Sequence, residues 1–234
     1  MTKNRQTKAV PVAALAGNPN VGKSTIFNAL TGMRQHTGNW PGKTVSLAQG
    51  VCMYKGEEIR LVDLPGTYAL VSKSQEETLA AGFISGGEAD CVIAVCDATS
   101  LERSLILALQ VMELTDRVIV CVNLMDEAQK QGIEIDLAAL SFELGVPVVA
   151  ASASREEGMG ELLEQLRRIL DGFEAPRPRR GGVVSDSIRE SHLGAEALRG
   201  ASGRASDEIA AQFVRRAEEI AKRVVRETRQ DAKT

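Results

Sequence analysis

The protein has 234 residues, of which 44% are apolar and 25% charged, so it can bury a sizeable core and is not a wholly disordered chain. Its 28 basic and 31 acidic residues give a net charge of -3, which excludes attachment to nucleic acid by bulk charge alone. It has no apolar run of about 18 residues and no apolar stretch near its N-terminus, so we expect a soluble protein that is not exported.

Short apolar segments alternate with segments of helical periodicity along residues 8–172. We predict strands at 10–16, 45–53, 58–62, 90–96, 117–122 and 146–150. We predict helices at 23–31, 75–85, 101–114, 136–144 and 159–171. This alternation predicts an α/β fold with a mostly parallel six-stranded sheet that helices cover on both faces.

The C-terminal part of the chain has a different composition. The run from 173 to 187 combines proline, glycine and arginine, so we predict a domain at 8–172 followed by a linker and a short helical appendage at 173–234. Residues 206–229 carry apolar side chains at spacings of three or four, which predicts an amphipathic helix. Its apolar stripe must be buried against the main domain, another chain or a further segment.

A phosphate-binding loop is predicted directly after the first strand. The residues there fit the pattern G-x-x-x-x-G-K-S at every fixed position: Gly17, Asn18, Pro19, Asn20, Val21, Gly22, Lys23 and Ser24. The glycines let backbone N–H groups face phosphate oxygens, Lys23 reaches the β- and γ-phosphates, and Ser24 can bind Mg²⁺. Thr25 continues into a helix whose positive dipole end faces the anion, so we include it in the nucleotide-binding segment.

Two later segments predict that the bound base is guanine. Asn123 and Asp126 form an N-x-x-D pattern after the fifth predicted strand, and the Asp126 carboxylate can accept from the guanine ring N–H and exocyclic amine. After the sixth strand, Ser152, Ala153 and Ser154 are similar to a loop whose backbone N–H meets the guanine oxygen. Adenine offers no such pair of donors, so this arrangement favours GTP and GDP over adenine nucleotides.

A D-x-x-G segment completes the motif order of a P-loop GTPase. It closes the third predicted strand, where Asp63 is expected to hold Mg²⁺ through water and the Gly66 N–H to contact the γ-phosphate. Four motifs in this order, each after a strand, predict a small GTPase.

Three further segments are more specific than this general pattern. They are GNWPGKTV at 38–45, DLPGTYAL at 63–70 followed by SQEE at 74–77, and DATSLERSLILALQV at 97–111. They resemble the cytoplasmic G domain of the FeoB family of bacterial ferrous iron transporters. The resemblance implies a GTP-binding, slowly hydrolysing domain, a helical subdomain that restrains GDP release, and a transmembrane permease at the bacterial inner membrane. Since no permease is present, we interpret the chain as an N-terminal cytoplasmic fragment.

The chain departs from the family pattern in two places. Residues 173–205 are short and rich in Gly, Arg and Ser, so a complete brake on GDP release is not expected. We hypothesise that the 206–229 helix packs in trans, by exchange in a homodimer, because an abbreviated bundle cannot cover its own stripe. Leu124 stands where many GTPases have lysine, so we expect modest nucleotide affinity.

Hydrolysis of GTP requires a positioned water and neutralisation of charge on the γ-phosphoryl group. We predict Ser24 and Thr44 as protein ligands of Mg²⁺, with Asp63 behind them, and Asn20, Lys23, Thr44 and Gly66 as the catalytic residues. Many GTPases place a glutamine after the D-x-x-G glycine, whereas Thr67 follows it here, so intrinsic hydrolysis should be slow.

The resemblance also implies a K⁺ ion where other GTPases use an arginine. It would be held by the side chain of Asn20 and by backbone carbonyls of Gly38 and Trp40. An asparagine oxygen is a hard ligand that suits a monovalent cation, while the alternative is that Asn20 only caps a turn.

Other functions are weighed against the regulatory domain of an iron transporter. A cation-dependent GTPase of RNA or ribosome maturation is the main alternative, although no basic segment interleaved with aromatic residues is found. A GTP-sensing module without turnover and an ATPase are two others. The four cysteines never form a C-x-x-C pair, so we expect reduced core thiols. No cluster of Cys, His or carboxylate residues has ligand spacing, so we expect no iron site.

Overall fold

The computed structural model describes residues 10–32, 35–39, 46–70, 74–174, 176–180 and 204–227, with only the backbone described at 35–39, 46 and 204–206. The strands are β1 Val12–Gly17, β2 Gln35–Asn39, β3 Ser46–Tyr54, β4 Glu57–Asp63, β5 Cys91–Asp97, β6 Val118–Asn123, β7 Ile133–Ile135, β8 Val148–Ala150 and β9 Val225–Glu227. The helices are α1 Lys23–Thr31, α2 Gln75–Ser85, α3 Leu101–Leu114, α4 Met125–Lys130, α5 Leu137–Leu144, α6 Met159–Leu170 and α7 Arg204–Val224.

Seven strands form the main sheet in the order β2-β3-β4-β1-β5-β6-β8. The strands from β4 to β8 in this order run parallel, while β2 and β3 are antiparallel additions at one edge. The predicted α/β class and mostly parallel sheet are confirmed, and all six predicted strands are present. The seventh strand, β2, was not predicted because its sequence QHTGN has no apolar run.

The central strands are buried on both faces, which follows from the period of two along a strand. Along β1, Ala13 and Leu15 face one side together with α1 and α6. Ala14 and Ala16 face the other side, where α2, α3, α5 and α7 pack. The two core layers hold β1 rigidly, so the loop that follows it starts from a fixed point.

Helix α7 covers its apolar stripe within its own chain. Phe213, Ala217, Ile220 and Val224 are buried, and the helix packs against α3 and α5. The premise of the exchange hypothesis, that one chain leaves this stripe uncovered, was therefore wrong. The predicted end at 229 was also wrong, because the helix stops at Val224 and residues 225–227 pair with β7 as an antiparallel strand.

Part of the predicted linker is bound to the main domain. The Arg179 N–H donates to the Leu144 carbonyl at 2.7 Å, and the Arg180 guanidinium is 2.6 Å from the Asp116 carboxylate. Residues 176–180 are thus fixed beside α3 and α5, whereas 181–203 lie outside the described residues. Within the described ranges, no helix is long and apolar enough to cross a bilayer.

Candidate functional site

The predicted motifs meet at one edge of the sheet. β1 ends at Gly17, β4 at Asp63, β6 at Asn123 and β8 at Ala150, and these strands are parallel. The carboxyl ends of parallel strands form the crevice in which open α/β sheets bind ligands. The topology therefore brings the phosphate loop and both segments of the predicted base pocket to the same edge.

Two glycines shape the loop after β1, and neither position accepts a larger side chain. A Cβ atom on Gly17 would lie 2.7 Å from the Val95 carbonyl oxygen, so the loop leaves the sheet in close contact with β5. Gly22 has a φ of +85°, and a Cβ atom there would lie 2.3 Å from Nδ2 of Asn123. Since Gly22 caps α1 without any side-chain hydrogen bond, the first N–H groups of the helix are available for an anion.

The remaining loop residues lie along the same turn. Asn18 is 4% exposed and its Oδ1 is buried without a hydrogen-bond partner. Asn20 is exposed and adopts a φ of 66°, a conformation that asparagine tolerates better than most residues. Gly66 approaches this turn so closely that a Cβ atom would lie 3.1 Å from the Pro19 Cα. The D-x-x-G glycine and the phosphate loop are therefore neighbours, as the sequence predicted.

Lys23, Ser24 and Asp63 form a charged cluster at the start of α1. Nζ of Lys23 is 3.9 Å from Oδ1 of Asp63, and the Ser24 hydroxyl donates to Oδ2 of Asp63 at 3.0 Å. Burial raises the pKa of the Asp63 carboxyl, while the Lys23 ammonium and the Ser24 hydroxyl oppose this rise. Oδ1 of Asp63 is buried and accepts no hydrogen bond, so the cluster offers oxygen ligands that fit Mg²⁺.

Asp126 lies in the first turn of α4 with one carboxylate oxygen free. Its Oδ1 is buried without a hydrogen-bond partner, and its Oδ2 is 3.3 Å from Nε of Arg155. Leu124, directly before the helix, has a φ of 64°. An acceptor that is buried and unpaired costs free energy unless a ligand donates to it, so Asp126 fits the predicted contact with guanine N–H groups.

Asn123 joins the two halves of the site. Its Nδ2 donates to the Val21 carbonyl at 3.0 Å, and its Oδ1 accepts the Ala153 N–H at 3.0 Å. The side chain is 1% exposed. Asn123 and Ala153 were both predicted to contact the nucleotide; in the structure, the Asn123 side chain and the Ala153 N–H are hydrogen-bonded to each other across the site.

The 152–154 loop is held by short-range hydrogen bonds. Ser152 and Ala153 are buried and Ser154 is exposed. A bridge between Ser152 and Glu157 closes the loop, and the Met125 N–H donates to the Ala151 carbonyl at 3.1 Å. The loop after β8 is therefore attached to the start of α4, which carries Asp126.

Neither of the two residues after Gly66 is the glutamine with which many GTPases position water. Thr67 is 5% exposed, and its N–H donates to the Gly17 carbonyl at 3.3 Å. Tyr68 is exposed, with the Arg103 guanidinium 4.6 Å from its ring centre. Of the other predicted site residues, Thr44 and Trp40 lie outside the described residues. Only the backbone of Gly38 is described; it lies in β2 and pairs with Leu47 of β3.

Two contributors to the site were missed by sequence reasoning. Arg155 directly follows the 152–154 loop. A positively charged residue next to a loop that is predicted to contact the base is the signal that could have identified it. Gln110, buried in α3, accepts the Leu70 N–H at 2.6 Å and so anchors the end of the DLPGTYAL segment. Nothing in the spacing of Gln110 distinguishes it from a helix surface residue. Across the described residues, no group of three or more His, Cys, Asp or Glu side chains could hold a metal ion.

Comparisons with known proteins agree with this geometry. A family model described as Ferrous iron transport protein B matches residues 11–166. The Fe(2+) transporter FeoB of Escherichia coli (strain K12) is 44% identical over 165 residues, which are 69% of this chain and 21% of that protein. The chain thus spans about a fifth of the length of the curated relatives it matches.

Solved structures of FeoB cytosolic domains are similar over most of the chain. The cytosolic domain of T. maritima FeoB in its GMPPNP form has a TM-score of 0.80 at 32% identity, and the match covers 93% of this chain and 100% of that one. The L. pneumophila cytosolic domain has a TM-score of 0.79 at 32% identity, covering 92% and 100%. The sequence, the fold and the matched residues together show that this chain belongs to the FeoB family of ferrous iron transport proteins and carries its N-terminal G domain.

Proposed function

We propose that this chain binds GTP and GDP and hydrolyses GTP slowly, as the regulatory G domain of a ferrous iron transporter. The observation that carries the proposal is the buried, unpartnered Oδ1 of Asp126 at the same sheet edge as the phosphate loop. The phosphate loop alone serves ATP and GTP equally, so the choice of base depends on this acceptor. Similar structures are described as bound to GDP and GMPPNP, which supports a guanine nucleotide.

Different residues of the site would contact the phosphates and the base of the nucleotide. Backbone N–H groups from Gly17 to Thr25 would surround the phosphates, with Lys23 contributing the positive charge. Asp126 would accept from the base. Because the Ala153 N–H already donates to Asn123, a backbone contact from this loop to the guanine oxygen falls to Ser154.

Hydrolysis in this site relies on charge and orientation. Lys23 is held near Asp63 at the start of α1, where it would neutralise charge on the γ-phosphoryl group, and Gly66 lies beside the loop, where its N–H would contact the same group. Ser24 and Thr44 would hold Mg²⁺, with Asp63 behind them, and a bound Mg²⁺ would neutralise charge on the phosphates. The position after Gly66, where many GTPases have a glutamine that orients water, is taken here by the buried Thr67, so turnover should be slow.

Asn20 is the residue of the chain that would hold K⁺, together with carbonyls of Gly38 and Trp40. The proposal is supported by the exposure of the Asn20 side chain within the phosphate loop. A cation held there would supply positive charge near the phosphates. Asn20→Ala should leave GDP binding unchanged and abolish the excess of GTP turnover in K⁺ over Na⁺ buffer. Equal rates of the unaltered protein in the two buffers would favour the alternative in which Asn20 caps a turn.

Base selection is tested by calorimetric titration with GDP and ADP in Mg²⁺ buffer. Asp126→Ala should weaken GDP binding by about 100-fold and leave the weak ADP binding unchanged, because only guanine donates to the carboxylate. Glu127→Ala is the matched control, since Glu127 is on the same helical turn but pairs with Lys130 at the surface. Equal affinity of the unaltered protein for ADP and GDP would contradict the proposal.

The wider role follows from the relatives. We propose that the chain acts at the cytoplasmic face of the bacterial inner membrane, and that its nucleotide state is passed to a permease portion of the same polypeptide. The match to iron transporters favours this role over the alternative in RNA or ribosome maturation. The packing of α7 on α3 and α5 of its own chain favours a monomer over a helix-exchanged homodimer. Sedimentation equilibrium at several concentrations distinguishes the two.

A further inference from the structure

Arg155 makes the ion pair of Asp126. Its Nε is 3.3 Å from Oδ2 of Asp126, and the side chains are 52% and 8% exposed, respectively. In the described part of the chain, no other ion pair involves Asp126. The pair connects the loop after β8 with the first turn of α4, so it links the two segments of the base pocket through side chains.

A carboxylate that accepts hydrogen bonds from two donors of one base must have its plane held at a defined angle about the terminal side-chain torsion. The terminal torsion of aspartate is broad, so the backbone of α4 does not by itself fix the plane of the carboxylate. Oδ1 of Asp126 has no hydrogen-bond partner, which leaves Arg155 at Oδ2 as the contact that can orient the group. An arginine suits this role because its planar guanidinium presents N–H donors in a fixed geometry to a carboxylate oxygen.

We propose that Arg155 is a positioning residue for guanine recognition: it fixes Asp126 through Oδ2 so that Oδ1 and the remaining lone pair of Oδ2 can accept from the base. This inference rests on the proposed function, because it concerns how the same carboxylate selects guanine. The contact of Arg155 is with Oδ2, and Oδ1 has no hydrogen-bond partner, so the pair leaves Oδ1 available to accept from guanine.

The experiment compares GDP with inosine diphosphate, which keeps the ring N–H but lacks the exocyclic amine. A correctly oriented carboxylate accepts from both groups of guanine, so the ratio of the two affinities measures the orientation of Asp126. By calorimetry, Arg155→Ala should weaken GDP binding about tenfold but inosine diphosphate binding only about threefold, since the lost hydrogen bond is charge-assisted. The ratio of affinities should therefore fall about threefold.

Two further variants separate positioning from a general structural effect. Arg155→Lys keeps the charge without the guanidinium geometry and should restore part of the ratio. Arg168→Ala is the matched control. Arg168 lies on α6, its side chain is 53% exposed, and its Nε is 3.0 Å from the Glu174 carboxylate. It should leave both affinities unchanged.

The inference is overturned if Arg155→Ala keeps the ratio of the unaltered protein. It is also overturned if this variant binds GDP more tightly, since Arg155 would then compete with the base for Asp126. A failure of the proposed function gives a different result: the unaltered protein would show no preference for GDP over ADP.

Discussion

The side-chain amide of Asn123 donates a hydrogen bond of 3.0 Å to the carbonyl oxygen of Val21, 102 positions earlier in the chain. The same side chain accepts the Ala153 N–H, so one buried residue connects the phosphate loop, the start of α4 and the loop after β8. The base pocket and the phosphate loop therefore form one hydrogen-bonded unit. A ligand that orders one of them should order the other as well.

Replacing Asn123 by alanine should destabilise the whole fold. The change leaves the Val21 carbonyl and the Ala153 N–H buried without their partner, which costs about 2–4 kcal/mol in the free energy of unfolding. Urea unfolding followed by circular dichroism measures this loss. Gln131→Ala, at an exposed position after α4, should change the free energy by less than about 0.5 kcal/mol. Equal effects of the two changes would show that the Asn123 bonds contribute nothing.

Gly22→Ala should abolish nucleotide binding as well as reduce stability. The added methyl group would lie 2.3 Å from Asn123 Nδ2, at a residue with a φ of +85°. Gly56→Ala is the control for backbone strain, because Gly56 has a φ of +82° and nothing lies within 4 Å of the added atom.

We expect Gly56→Ala to cost about 1 kcal/mol in the free energy of unfolding and to leave GDP binding intact. Gly22→Ala should cost more, because the methyl group also displaces the Asn123 amide. Urea unfolding and GDP titration of both variants check this. If Gly22→Ala bound GDP as tightly as Gly56→Ala, the close packing of the loop against Asn123 would be refuted.

Phe213→Ala should lower the free energy of unfolding by about 3–5 kcal/mol, because a large buried side chain is lost from the core shared by α3, α5 and α7. Phe213 is 1% exposed, whereas its neighbour Val214 is 38% exposed and provides the control. Val214→Ala should cost less than about 0.5 kcal/mol. Chemical unfolding with a single transition is expected for both variants. Similar losses in both would mean that α7 does not pack on the domain as described.

The cysteine thiols should be unreactive in the folded protein. All four cysteines are buried and unpaired, and desolvation raises the pKa of Cys121 to about 12 and that of Cys52 to about 11. The reactive thiolate is then a fraction of roughly one in ten thousand for Cys121 at pH 8. A colorimetric thiol reagent should label the protein only after denaturation, and then at four sites. Rapid labelling of the native protein would contradict this burial.

The alternation of strands and helices was predictable because it depends on short-range periodicity. Helices α1, α2 and α3 lie where the sequence predicted them, and β1 is followed by the phosphate loop. The edge strand β2 escaped prediction because its residues are polar, and pairing with β3 is a long-range property. The end of α7 was misplaced for a similar reason: charged residues continue the helical pattern past Val224, but pairing with Ile133–Ile135 draws them into a strand.

The sequence by itself determined the fold class, the order of the motifs and the membership of the FeoB family, because each is encoded in contiguous segments with defined chemistry. Only the tertiary structure decided that Asn123 joins the phosphate loop to the 152–154 loop, that Arg155 pairs with Asp126, and that α7 covers its stripe on α3 and α5. These contacts join residues that are distant in the chain. They depend on strand order, sheet register and the conformation of loops, which no local pattern of side chains specifies.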